Sequence, residues 1–142
     1  MINYFAHCVD VEEVYKNEVA PVCEKYRLTY MEFTILMFLT NNPQYDTATQ
    51  IAKYRHLAKS HVSISIRSLQ ERGLVLGEHR EGNHRTIHLS VSEKAADMIA
   101  DGRAAQTRFC EVIFAGFSKE EMEKLQQFTE HVNRNAKEYM KD

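Results

Sequence analysis

Cysteine, glycine and long apolar runs are scarce in this chain, and each scarcity removes a class of function. Its three cysteines, Cys8, Cys23 and Cys110, are odd in number, lie far apart and include no Cys-x-x-Cys pair. Neither a disulfide framework nor a zinc knuckle is indicated, and reduced thiols are expected. The five glycines form no phosphate-binding loop and no nucleophile elbow, which argues against an enzyme, so no catalytic residue and no cofactor is assigned. No apolar run approaches the ~18 to 20 residues needed to cross a bilayer, and the N-terminus has no basic stretch ahead of an apolar core. A soluble, cytoplasmic protein is expected. No pair among His7, Cys8, Cys23, Glu24 and His131 has compact ligand spacing such as His-x-x-x-His, so no metal site is assigned.

What is present is enough apolar material for one core: 142 residues, 44% of them hydrophobic, within the usual range of a single domain. The net charge of -2 suits a nucleic-acid binder poorly, because cations that neutralise phosphates supply most non-specific affinity. The distribution of charge along the chain points the other way. Between residues 53 and 94, Lys53, Arg55, Lys59, Arg67, Arg72, Arg80, Arg85 and Lys94 face only Glu71, Glu78, Glu81 and Glu93. The same window holds His56, His61, His79, His84 and His88, which can gain charge near an anionic backbone. A basic middle lies between two acidic ends.

Helical spacing of apolar residues runs from Phe5 to Tyr26, with Pro21 predicting either a kink or a restart there. Thr29 to Glu32 has the capping-box pattern, with Leu28 and Phe33 as its staple, and starts a second helix that is apolar on nearly all sides and stops at Asn41-Asn42-Pro43. Thr47 to Gln50 repeats the pattern and opens a helix of about two turns to Tyr54 or Arg55, followed by the turn Arg55-His56-Leu57. From Ala58 to Arg72, residues Ala58, Val62, Ser65, Ile66 and Leu69 share one face, and Gly73 stands where a C-cap glycine belongs. Two strands follow, Leu74 to His79 and Arg85 to Val91, the second with Ile87, Leu89 and Val91 inward and Thr86, His88 and Ser90 outward. Residues 80–84 form the hairpin tip. Ser92 is placed as the cap of a helix to about Phe114, and Ser118 to Glu121 as a third capping box. The final helix carries the stripe Met122, Leu125, Phe128, Val132, Ala136 and Tyr139, too long for so small a core to cover.

A short helix, a three-residue turn, a helix ended by glycine and a two-stranded ribbon with a basic tip make a winged helix-turn-helix, in a mainly α fold with a small β wing. Small hydrogen-bonding side chains let a helix approach base edges in the major groove, which selects Ser60, His61, Ser63 and Ile64. Ile64, apolar on a polar face, suits a thymine methyl group. Lys59 and Arg67, at the margins of that face, reach phosphate. At the wing, Arg80, Asn83, His84 and Arg85 around Gly82 suit a minor groove or its phosphates.

The segments Leu57-Ala58-Lys59-Ser60-His61-Val62-Ser63 and Leu69-Gln70-Glu71-Arg72-Gly73-Leu74-Val75, with Leu89-Ser90-Val91-Ser92-Glu93-Lys94 after the wing, resemble the MarR (multiple antibiotic resistance regulator) family. The resemblance spans essentially the whole chain. Departures are Glu81-Gly82-Asn83-His84-Arg85 in place of an Asp-x-Arg wing, Ala95 and His56 where glycine is common, and Ala58 for a frequent serine cap. The family likeness implies a homodimeric transcriptional regulator of double-stranded DNA, with a recognition helix at about 58–72 and a wing at about 75–91. Within one domain, residues 29–92 would bind a pseudo-palindromic operator, and residues 1–28 and 93–142 would interlock as the dimer base. It further implies a repressor whose affinity responds to a small effector, with the effector site unassigned. Two alternatives stand beside it: a winged-helix interaction module that does not bind DNA, and a cysteine- or metal-responsive sensor of the same family.

Overall fold

The computed structural model describes residues 9–141, so Cys8 and the expected helical positions 5–8 lie outside the described residues. The elements run α1 (Val9–Tyr26), α2 (Tyr30–Asn41), α3 (Ala48–Arg55), α4 (Lys59–Glu71), β1 (Val75–Arg80), β2 (Asn83–Val91), a 3-10 turn (Glu93–Ala95), α5 (Ala96–Ile113) and α6 (Lys119–Tyr139). They form two compact units, one ending at Phe109 and one beginning at Cys110. The fold class is the expected one, mainly α with a two-stranded antiparallel wing. At Pro21, whose alternatives were a kink or a restart, α1 continues as helix to Tyr26.

All three capping boxes form. Thr29 Oγ1 accepts from Glu32 N at 3.1 Å while Glu32 Oε2 accepts from Thr29 N at 2.9 Å, and Thr47 with Gln50 and Ser118 with Glu121 repeat the exchange. Each satisfies backbone N–H groups that a helix start leaves without intrahelical partners. α2 is the central element of its unit, with Phe33, Ile35 and Leu36 each no more than 1% exposed. Burying such side chains stabilises by about 1.5–3 kcal/mol each. Ile51 from α3, Val62, Ile66 and Leu69 from α4, and Leu74, Val75 and Leu89 at the wing base complete this core.

Glu32 is also buried, and its second oxygen accepts from Ser68 Oγ at 2.6 Å, tying α4 to the start of α2. Arg72 donates to the Tyr26 and Arg27 carbonyls at 2.7 and 3.0 Å. The end of α4 is therefore fixed to the junction between α1 and α2.

Several expectations need correction. The strands reach further than expected, to Arg80 and from Asn83, leaving Glu81 and Gly82 as the turn, with Gly82 at φ +78°. Ile87, expected inward, is 45% exposed because its side of the ribbon extends past the edge of the core. His88, expected outward, is half-buried because the loop between α2 and α3 covers that face. Ser92 does not cap α5: its hydroxyl donates to Gly73 O at 2.6 Å, and the 3-10 turn intervenes. Ala58 is exposed rather than on the inner face, and supplies no side-chain cap.

Candidate nucleic-acid interface

Helical periodicity divides α4 into an inner face of Val62, Ile66 and Leu69 and an outer one. Lys59, Ser60, His61, Ser63, Ile64 and Arg67 are all exposed. Ile64 is 68% exposed, so packing within the chain does not explain an isoleucine there. Glycine at 73, φ +69°, ends the helix and turns the chain into the wing. His56, φ 52°, takes the left-handed conformation at the C-cap of α3 and sets the angle to α4 without a glycine.

The ribbon pairs in register from Val75 with Val91 to Glu78 with His88, and is then irregular until Arg80 meets Asn83. Among the four expected wing residues, the roles separate. Asn83 is turned onto its own hairpin, its Oδ1 accepting from Arg85 N at 3.0 Å and Thr86 N at 3.3 Å. The His84 ring meets His79 edge-on at 5.8 Å. Arg80 donates to Asp46 Oδ2 at 3.2 Å. Arg85 keeps an exposed guanidinium and joins no ion pair among the described residues.

Sequence reasoning missed Asp46. Its Oδ1 meets His88 Nδ1 at 2.9 Å, its Oδ2 meets Arg80, and its main-chain carbonyl accepts from Leu89 N at 2.8 Å. An aspartate one residue ahead of a helix cap carries no sequence signal for partners some forty positions away. Missed too was a cavity of about 500 Å³ bounded by α1, α2 and α5, lined by Tyr15, Tyr30, Thr34, Phe38, Arg55 and Phe109 among others. Tyr15 and Phe109 meet edge-to-face at 5.1 Å, and the Tyr15 hydroxyl accepts from Gln106 Nε2 at 3.0 Å. Thr34 Oγ1 is buried with no hydrogen-bond partner among the described residues, an arrangement that usually costs about 1–3 kcal/mol.

Burial pushes the Cys23 thiol up, away from the thiolate that redox chemistry requires. No three of the described histidine, cysteine, aspartate and glutamate residues group as a metal site.

Residues 28–85 match the sequence profile of the MarR family. No curated protein matches the chain by sequence. Among solved structures, a proposed MarR family transcriptional regulator from Listeria monocytogenes complexed with 26mer DNA is similar at TM-score 0.82 and 17% identity, covering 95% of this chain and 89% of that one. A MarR transcriptional regulator from Methanosarcina mazei Go1 is similar at TM-score 0.76 and 17% identity, with coverage of 94% and 96%. The S. aureus MepR–DNA complex is similar at TM-score 0.70 and 14% identity, with 96% of each chain covered. At these identities the likeness is one of fold. The helix-turn-helix and most of the wing, residues 28–85, are thus of the MarR family by sequence, in a chain that carries the fold of MarR transcriptional regulators.

Proposed function

We propose that this protein is a transcriptional regulator that binds duplex DNA as a homodimer, with residues 29–92 on the DNA and residues 1–28 and 93–142 as the dimer base. One observation carries the reading: the outer face of α4 presents Lys59, Ser60, His61, Ser63, Ile64 and Arg67 to solvent, with Ile64 68% exposed, and no core contact accounts for it. In the major groove Ser60, His61, Ser63 and Ile64 read base edges, and Lys59 and Arg67 hold phosphates. Arg85 at the wing takes the adjoining backbone. The DNA-bound relatives of like fold support the same class of partner.

Dimerisation is supported by α6, which buries no residue within its own subunit and leaves Leu125, Phe128, Val132 and Tyr139 39%, 66%, 59% and 82% exposed. An apolar stripe of that extent on a helix asks for a covering surface. Two-fold pairing would set the recognition helices about 34–36 Å apart and call for a pseudo-palindromic operator. Repression relieved by a small effector completes the reading, and the cavity of α1, α2 and α5 suits an aromatic one. Aromatic rings line it, Arg55 offers a cation and Thr34 a hydroxyl with no partner among the described residues.

Binding of the purified protein to fragments of its own upstream region, at two salt concentrations, tests the proposal. One fragment should bind as a dimer and weaken steeply with salt. Absence of binding to every fragment at low salt would favour the interaction-module reading instead.

A further inference from the structure

The hairpin's hydrogen-bonded ladder is broken where a wing most needs stiffness. Regular pairing ends at Glu78 with His88 and resumes only at Arg80 with Asn83, so β2 carries extra residues opposite a short stretch of β1. Such an irregularity bends a ribbon and removes ladder bonds. Inside it the two strands are joined by His79 Nδ1 and the Thr86 carbonyl at 3.1 Å, a side-chain bond in place of the regular ladder.

Asp46 bridges that break. One carboxylate oxygen holds His88, on the core side of the irregularity, and the other holds Arg80, on the tip side, at 2.9 and 3.2 Å. The Asp46 carbonyl also accepts from Leu89 N at 2.8 Å. Asp46 itself is anchored, since the next residue, Thr47, is the N-cap of α3 within a complete capping box. Side-chain exposure of Asp46 and His88 is 19% and 16%, so this half of the bridge is sheltered from competing water.

We infer that Asp46 is a positioning residue that clasps the wing across its irregular segment, fixing the wing tip relative to the helix-turn-helix, and that Arg80 acts through this clasp rather than by neutralising phosphate. The inference rests on the DNA-binding reading for its consequence, and on the free protein alone for its mechanics. Arg85, the uncommitted wing arginine, is then the phosphate contact. Its position over the groove depends on Asp46.

The test has an arm without DNA and an arm with it. In the free protein, Asp46→Asn and Arg80→Ala should each speed amide exchange of residues 80–86 severalfold and leave α4 unchanged; unchanged exchange at the tip would overturn the clasp. This arm holds even if the wild type binds no DNA, an outcome that would sink only the regulator reading. With an upstream fragment that the wild type does bind, Arg85→Ala should lower the slope of log affinity against log salt by about one. Arg80→Ala should leave that slope unchanged. Asp46→Asn releases Arg80, so binding to random duplex should tighten with a steeper slope while preference for the specific fragment falls about tenfold. Simple loss of fold would weaken both. A slope lowered by about one in Arg80→Ala would make Arg80 a phosphate contact and contradict the proposal.

Discussion

His56 shows how a single residue sets the geometry between α3 and α4. It closes α3 at φ 52°, where a side chain with a Cβ is disfavoured by roughly 1–2 kcal/mol and glycine is not. Allowing for the greater freedom glycine gains in the unfolded chain, His56→Gly should stabilise by about 0.5–1 kcal/mol, read as a higher urea midpoint at constant slope. At Asp101 the effect is electrostatic. Hydrogen bonds from Lys25 and from the Tyr26 hydroxyl, both at 2.7 Å, hold its carboxyl below the ordinary value of 3.8. A lowered carboxyl contributes stability that is complete above its unfolded value and disappears as pH falls through the folded one. Wild type and Asp101→Asn should therefore differ in thermal midpoint at neutral pH and converge in acid below that value, and added salt should narrow the difference because the group is exposed. The exposed outer face of α4 was legible in sequence because a face is a matter of local periodicity. Asp46, Thr34 and the burial of His88 were not, because their environments are made by elements distant along the chain.

Elements were legible where their ends carry their own chemistry. Thr29, Thr47 and Ser118 announce α2, α3 and α6 through bonds made within four residues, and Gly73 ends α4 for an equally local reason. The start of α5 was misread because Ser92 offered a cap by composition but gives its hydroxyl to the Gly73 carbonyl, a bond set by the wing's return to α4. Within α5, Gly102 is buried against α2, and a Cβ there would stand 2.7 Å from Met37 Sδ and 3.0 Å from Phe33 Cε2. Alanine would gain up to about 1 kcal/mol of helix propensity, while overpacking a full core costs about 1–3 kcal/mol. Gly102→Ala should lower stability by about 1 kcal/mol in denaturant unfolding. An increase would mean that Met37 swings aside and that α5 approaches α2 without requiring glycine.

For the whole molecule, the sequence carries the basic middle and the long apolar stripe of α6, in which Leu125, Phe128, Val132 and Tyr139 are exposed. Phe128→Asp places a charge in the middle of the stripe, at a side chain 66% exposed in the single subunit. It should leave the subunit folded, shift sedimentation from dimer to monomer and abolish operator binding at concentrations where wild type binds; a dimer that persists would move the interface elsewhere. DNA reading by α4 is tested most directly by comparing Ile64→Ala and Arg67→Ala on the specific fragment and on random duplex. If α4 reads the major groove, Ile64→Ala should cost about 1–3 kcal/mol on the specific fragment alone, whereas Arg67→Ala should weaken both duplexes about equally and lower the salt slope by about one. If both variants bind both duplexes as the wild type does, the outer face of α4 does not contact DNA and the account fails.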